Sequence, residues 1–251
     1  MIEFLKNKDF NQVIILWNRV FEDSKEDILN YLNNFSDHVI VFKEGEQVLG
    51  MTSLLPIKNG RYVYAVCVHP DFRNRKIAAS MLDFSKEYIQ KTGEDFLLLV
   101  PAEKSLFKFY EKHDFSPIYC TKTITVPSSS LLTGGLPAKN IGVDELYTLR
   151  QNAFCQKNFI EWDKKTLNVI YNMYNKGFYK VDDGFCVCTK INDTVYVKEL
   201  YSDNIVQSLS QLHSNFNAKE YVVTLPEKSD IPNAMIYGNY PKNIYFNLAM
   251  D

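Results

Sequence analysis

Apolar residues recur at helical spacing in two runs near the start of the chain. Phe10, Val13, Ile14, Trp17, Val20 and Phe21 fall on one face behind Asp9, a candidate N-cap, so the spacing predicts a helix over 9–21. Ser24 followed by Asp27 resembles a capping box, and Ile28, Tyr31, Leu32 and Phe35 form the stripe of a second helix. The period then shortens. Residues 38–42, 48–55 and 62–68 are β-rich runs separated by the turn signals Glu44-Gly45-Glu46 and Lys58-Asn59-Gly60, which predicts three antiparallel strands joined by hairpins. Helical spacing returns over 77–90 with Ile77, Met81, Phe84, Tyr88 and Ile89, stopped by Gly93. A buried strand at 96–100, a short helix at 106–112 and an alternating strand at 118–126 complete a first unit.

The stretch PSSSLLTGGLPAKN, 127–140, has Pro, Ser, Thr or Gly at eight of its fourteen positions, which is linker composition. The expected organisation is therefore a first domain at 1–126, a linker at 127–139 and a second domain at 140–251. Helices are expected at 143–154 and 163–175, strands at 184–191 and 194–201, and a helix at 204–216. FLLLVPAEKS at 96–105 and YVVTLPEKS at 221–229 each follow strand, strand and helix, which points to a duplicated unit. The expected fold class is α/β in the α+β sense, with a mixed, mostly antiparallel sheet flanked by helices in each of two tandem units.

Composition narrows the function more than the fold. At 46% hydrophobic and 23% charged the chain can build a sizeable core, and a net charge of −2 offers no general basic field for a nucleic-acid backbone. The opening MIEFLKNKDF lacks the apolar stretch of a signal peptide, and no segment approaches the roughly 18 apolar residues that span a bilayer. A cytoplasmic protein acting on neither nucleic acid nor membrane is expected. Cys67, Cys120, Cys155, Cys186 and Cys188 form no CxxC pair, so reduced structural thiols are expected rather than a metal site.

The candidate chemistry lies in AVCVHPDFRNRKIAASML, residues 65–82, where a strand enters a helix through a basic turn. Amides at a helix start attract anions, and Arg73, Arg75 and Lys76 place three cations where phosphates would sit. The segment resembles the GCN5-related N-acetyltransferase (GNAT) family. Its acyl-CoA motif reads Arg or Gln, two residues, Gly, one residue, then Gly or Ala, and here runs Arg73-Asn74-Arg75-Lys76-Ile77-Ala78 with Lys76 in place of the first Gly. A second block, PAEKSLFKFYEKHDF at 101–115, looks like the family's later motif, with Asp114 where Gly is usual. The resemblance covers 1–126 and is weaker beyond 140, where Ser202-Asp203-Asn204 leads into a helix with no cation and Asp203 would repel a phosphate.

The resemblance implies that Val66, Cys67 and Val68 line a thioester and that the turn Arg73, Asn74, Arg75, Lys76, Ile77, Ala78 and Ala79 holds the pyrophosphate of acetyl-CoA. It makes Tyr110 the acid that protonates the leaving thiolate. The acceptor would be a small-molecule or peptide amine attacking directly, with the second unit degenerate and binding no CoA. The strand 61–68 carries no Asp or Glu to serve as base. Glu199 in YVKELYS is open to two readings, amine recognition or base catalysis on the one hand, and a strand carboxylate facing solvent or paired near Lys198 on the other. His69 and His113 flank the motifs and are expected to pack or face solvent. Two other functions compete with acetyl transfer: a non-catalytic CoA-binding sensor, and an aminoacyl or peptidyl transferase of the tandem type.

Overall fold

The computed structural model describes residues 1–250, which form two compact units: 1–118 with 233–240, and 119–232 with 241–250. The first unit runs β1 (Ile2–Phe4), α1 (Phe10–Phe21), α2 (Lys25–Phe35), β2 (Val39–Glu44), β3 (Gln47–Ile57), β4 (Gly60–Val68), α3 (Ile77–Thr92), β5 (Phe96–Leu99), α4 (Phe107–Glu111) and β6 (Ser116–Ile118). The start signal of α2 and the stop signal of α3 work as the sequence predicts. Ser24 accepts the Asp27 amide at 3.1 Å to cap α2, and Gly93 ends α3 at a left-handed φ of 75°. Asp9 precedes α1 without capping it. Its carboxylate binds the buried Lys43 ammonium at 2.8 and 3.0 Å instead, because an unpaired charge beneath the sheet would cost more than a missing cap.

The second unit contains β7 (Lys122–Pro127), β8 (Lys139–Asn140), α5 (Val143–Phe154), β9 (Asn158–Phe159), α6 (Lys164–Met173), β10 (Phe178–Val181), β11 (Gly184–Ile191), β12 (Thr194–Tyr201), α7 (Ile205–Phe216) and β13 (Glu220–Leu225). The chain then contributes β14 (Ala234–Gly238) to the first unit's sheet and β15 (Ile244–Tyr245) to a short parallel pair with β9. The first sheet has the order β1-β2-β3-β4-β5-β14-β6 and the second β7-β13-β12-β11-β10-β8. Each is antiparallel except for one central parallel pair, β4 with β5 and β12 with β13, which a helix joins in both cases. The duplication expected from the two short repeats is thus present as β3-β4-α3-β5 and β11-β12-α7-β13.

Three sequence expectations need correction. The single strand expected at 118–126 is two strands, β6 and β7, which pair with β14 and β13 in different sheets. The structural division therefore falls at 118/119 rather than across 127–139. The expected linker belongs to the second unit, since Pro127 pairs with Glu220, and Leu131 and Ala138 are buried in that unit's core. Finally, β14 lies within the expected second domain yet completes the first sheet. Five residues of apolar run carry no period that names their partner, and the partners of β14 on β5 and β6 lie more than 100 residues away in sequence.

Candidate active site

Two irregularities in β4 shape the site. Met51 pairs with Cys67 and Ser53 with Tyr64, so Thr52 of β3 alone faces Ala65 and Val66: β4 carries a bulge there, with Ala65 at φ 53°. The fully buried Thr52 hydroxyl donates to the Tyr64 carbonyl at 2.9 Å and pins the bulge. On the other side, the parallel pairing of β4 with β5 ends at Tyr62 and Leu98, although β4 continues to Val68. Beyond Tyr62 the β4 backbone has no ladder partner on its β5 side, which leaves an open edge, a candidate cleft, along it. Tyr64, Ala65 and Val66 on that stretch are half-exposed although β4 is a central strand. Of the three residues expected along a thioester, Val66 and Val68 are half-buried. Cys67 is buried, and burial pushes its thiol up to about 12, which makes it inert packing.

At the far end of β4 the chain turns through a short 3-10 segment at Pro70–Phe72 into α3. Gly50 of β3 permits this close approach, because a Cβ there would lie 2.8 Å from Ile77 Cγ2. The motif's departure from glycine is accommodated rather than repaired. Lys76 sits at φ 59°, the left-handed conformation that glycine adopts freely, and Asp114, the other non-glycine, sits at φ 63°. The left-handed region costs an L-residue roughly 1–2 kcal/mol, partly offset by the greater freedom of unfolded glycine. Lys76→Gly is accordingly expected to hold or raise thermal stability. A variant that unfolds at a lower temperature would show that the ammonium secures the turn.

The first amides of α3, from Ile77 to Ala79, have no intrahelical acceptor by the geometry of a helix start, and the cations surround them unequally. Arg75 donates to Glu44 at 2.6 Å and lies 5.3 Å from the Phe72 ring centre, so it is already engaged. Arg73 and Lys76 are exposed and have no ion-pair partner among the described residues, while Asn74 turns the chain at φ 64°. One contact lies outside what local spacing could reveal: Arg19 of α1 donates to His69 Nε2 at 2.9 Å and approaches Asp71 at 3.5 Å, bracing the loop that follows β4. His69 is thus a loop-bracing residue. His113 stacks near Phe109, with ring centres 4.8 Å apart.

Tyr110 belongs to the same apolar core as Ile77 and Met81 of α3 and Leu97 and Leu99 of β5, and packs edge-on against Phe109 and Phe115. It is 6% exposed, and burial pushes its phenol up to about 12. Its hydroxyl has no hydrogen-bond partner among the described residues, yet no sealed and unsatisfied side-chain atom occurs among them. The hydroxyl therefore reaches open space at the edge of the core and is available to a ligand.

Glu199 is neither solvent-facing nor paired with Lys198. It is fully buried in the second unit, where Arg150 donates to both its oxygens at 2.7 and 3.2 Å and the Tyr245 hydroxyl donates at 2.7 Å. Arg150 lies 4.8 Å from the Phe159 ring centre, and burial and then Glu199 hold the Tyr245 phenol well above its ordinary range. A carboxylate so enclosed has the surroundings of a structural ion pair, not of a base exposed to an amine. The five cysteines are all free thiols.

An unpaired stretch of a central strand ending at an amide-lined turn into a helix can hold an extended ligand that ends in an anion. Residues 1–118 match the family model of the acetyltransferase (GNAT) domain. The chain is similar to an acetyltransferase of Pectobacterium atrosepticum, 28% identical over 128 residues, covering 47% of this chain and 89% of that one. It is also similar to an acetyltransferase of Sodalis glossinidius, 28% identical over 123 residues, 45% of this chain and 85% of the other. In fold, the chain is similar to a GCN5-related N-acetyltransferase of Kribbella flavida (13% identity, TM-score 0.69, 94% of this chain and 70% of that one). A putative acetyltransferase of Pyrococcus horikoshii is similar in the same way (14% identity, TM-score 0.64, 98% and 93%). The likeness to the GNAT acetyltransferase domain is thus carried by residues 1–118.

Proposed function

We propose that the first unit binds acetyl-CoA and transfers its acetyl group to an amine by direct attack, with Tyr110 serving the departing sulfur. The observation that carries this reading is the cleft beyond Tyr62. It exposes strand backbone for an amide-bearing arm to pair with, and it runs toward a turn where Arg73, Lys76 and the first amides of α3 suit a pyrophosphate. The thioester supplies an activated carbonyl. The chain's part is to hold that carbonyl at the β4 bulge, keep the arm extended, and offer a proton at Tyr110 as the C–S bond breaks. The acceptor nitrogen forms the new C–N bond and gives up its own proton to water in the cleft, since β4 carries no carboxylate. A sensor would have no use for a phenol left without a protein partner, which favours transfer over binding alone.

Calorimetry with acetyl-CoA, followed by a thiol-release screen of primary amines, tests the reading. Arg73→Ala with Arg75→Ala should weaken acetyl-CoA by about tenfold or more, as charge-assisted phosphate contacts are lost. Most of that loss should appear in Arg73→Ala alone, because Arg75 must first leave Glu44. Unchanged affinity in the double variant would remove the turn from the site.

A further inference from the structure

The second unit repeats the first unit's cleft down to its irregularities. The parallel pairing of β12 with β13 ends at Val197 and Val223, and the ladder between β11 and β12 skips Lys198 immediately afterwards, so that β12 carries one extra residue there, as β4 does where Ala65 and Val66 face Thr52 alone. Beyond that point, however, the interior is filled. The Lys198 carbonyl accepts the Asn247 side-chain amide at 2.7 Å, and Trp162 in turn donates to the Asn247 carbonyl at 2.9 Å. Ile244, Tyr245, Phe246, Leu248, Ala249 and Met250 around it are all buried.

The turn into α7 is filled as well. Asp183, at the β10–β11 turn, accepts the amides of Asp203 and Asn204 at 2.9 and 3.1 Å and the Ser202 hydroxyl at 2.7 Å. Asn204 caps the helix by accepting the Gln207 amide at 3.1 Å. Asp182 beside it receives the side chains of Gln207 and Gln211, each at 2.7 Å, which clamps the hairpin turn onto α7. A carboxylate with three donors in this position does for the amides what a bound phosphate would do.

We propose that the second unit is a cofactor cleft closed from within, in which Asp183 replaces the phosphate and the segment 244–250 replaces the extended arm, so that the chain takes one acyl-CoA and not two. This closure rests on reading the β4–α3 turn as the phosphate cradle of the first unit. The second unit's role is then structural, and its closure is a local substitution: an acidic residue on one hairpin turn in place of an anion from solution.

Chemical rescue tests the substitution without acetyl-CoA, so its outcome is separate from that of the transferase reading. Asp183→Ala should lower the unfolding temperature of the full chain in chloride. Inorganic phosphate at equal ionic strength should restore part of the loss, saturably, in excess of its effect on the parent protein. An equal response of variant and parent to phosphate would overturn the proposal. Should Asp183→Ala fail to fold in either salt, Asp183→Asn decides. It keeps an acceptor oxygen but not the charge, and must show a smaller fall with a phosphate excess; no excess overturns the proposal equally. In parallel, acetyl-CoA titration of the parent should give one site per chain, and two sites would sink the closure of the second cleft.

Discussion

Tyr110→Phe is expected to slow acetyl transfer by about a hundredfold while leaving acetyl-CoA affinity and thermal stability nearly unchanged. The magnitude follows from the phenol's surroundings. A free thiol titrates near 8.5, whereas burial holds Tyr110 near 12, so complete proton transfer to a free thiolate runs uphill. In the proposed transfer Tyr110 would supply a hydrogen bond that strengthens as charge gathers on sulfur, worth about 1.5–3 kcal/mol for a charged acceptor, or roughly ten- to 150-fold. General acid catalysis by a well-matched donor reaches about 10² to 10⁴, and the mismatch places this residue at the lower end. The elevated pKa also keeps the phenol protonated through neutral and mildly alkaline solution, so Tyr110 itself should impose no fall in rate there. Phe retains the ring contacts with Phe109 and Phe115, and no protein hydrogen bond is lost. Steady-state kinetics with a saturating amine settle the matter. A wild-type kcat would make Tyr110 a packing residue, and a large loss of stability would mean that its hydroxyl is tied to the protein after all.

Glu199→Gln is expected to destabilise the second unit by about 3–5 kcal/mol, the usual cost of removing one partner of a buried ion pair. Arg150 and Glu199 have side chains 2% and 0% exposed, and the guanidinium has no route to solvent once its carboxylate is neutral. Gln preserves shape and still accepts from Tyr245, so the loss isolates the charge. Because the chain has two units, urea unfolding should be followed with a probe in each, and only the second transition should move. Replacing both partners, with Arg150→Met and Glu199→Leu, should recover much of the loss, since an apolar pair carries no desolvation penalty. If Glu199→Gln instead abolished transfer at unchanged stability, the carboxylate would be part of the chemistry and the structural reading would fail.

Local order was the most legible property of the sequence. Helices α1, α2, α3, α5 and α7 and strands β11 and β12 lie within a few residues of where periodicity and capping put them, because the signals that make them are contained in the elements themselves. The basic turn was legible for the same reason: cations, strand end and helix start are adjacent in the chain. The spacing of the two motifs also located Tyr110, but only the packing shows that its hydroxyl is left without a protein partner. Thr52 was invisible, because a threonine inside a β-rich run carries no mark of the bulge it holds in the next strand. Arg19 and Glu44 were equally silent, since their partners His69 and Arg75 lie 50 and 31 residues away.

The sequence by itself determined which segments coil and which extend, where the basic strand-to-helix turn falls, and that a similar unit follows the first. Tertiary structure decided which sheet each strand joins, and it sent β7 to the second and β14 to the first against the order of the chain. It also decided that Glu199 is an enclosed ion and that Asp183 fills the second unit's turn. The physical reason is range. Hydrophobic period, caps and turn residues act over a few positions, whereas a strand's partner and a carboxylate's burial depend on backbone donors and side chains brought together from distant parts of the chain.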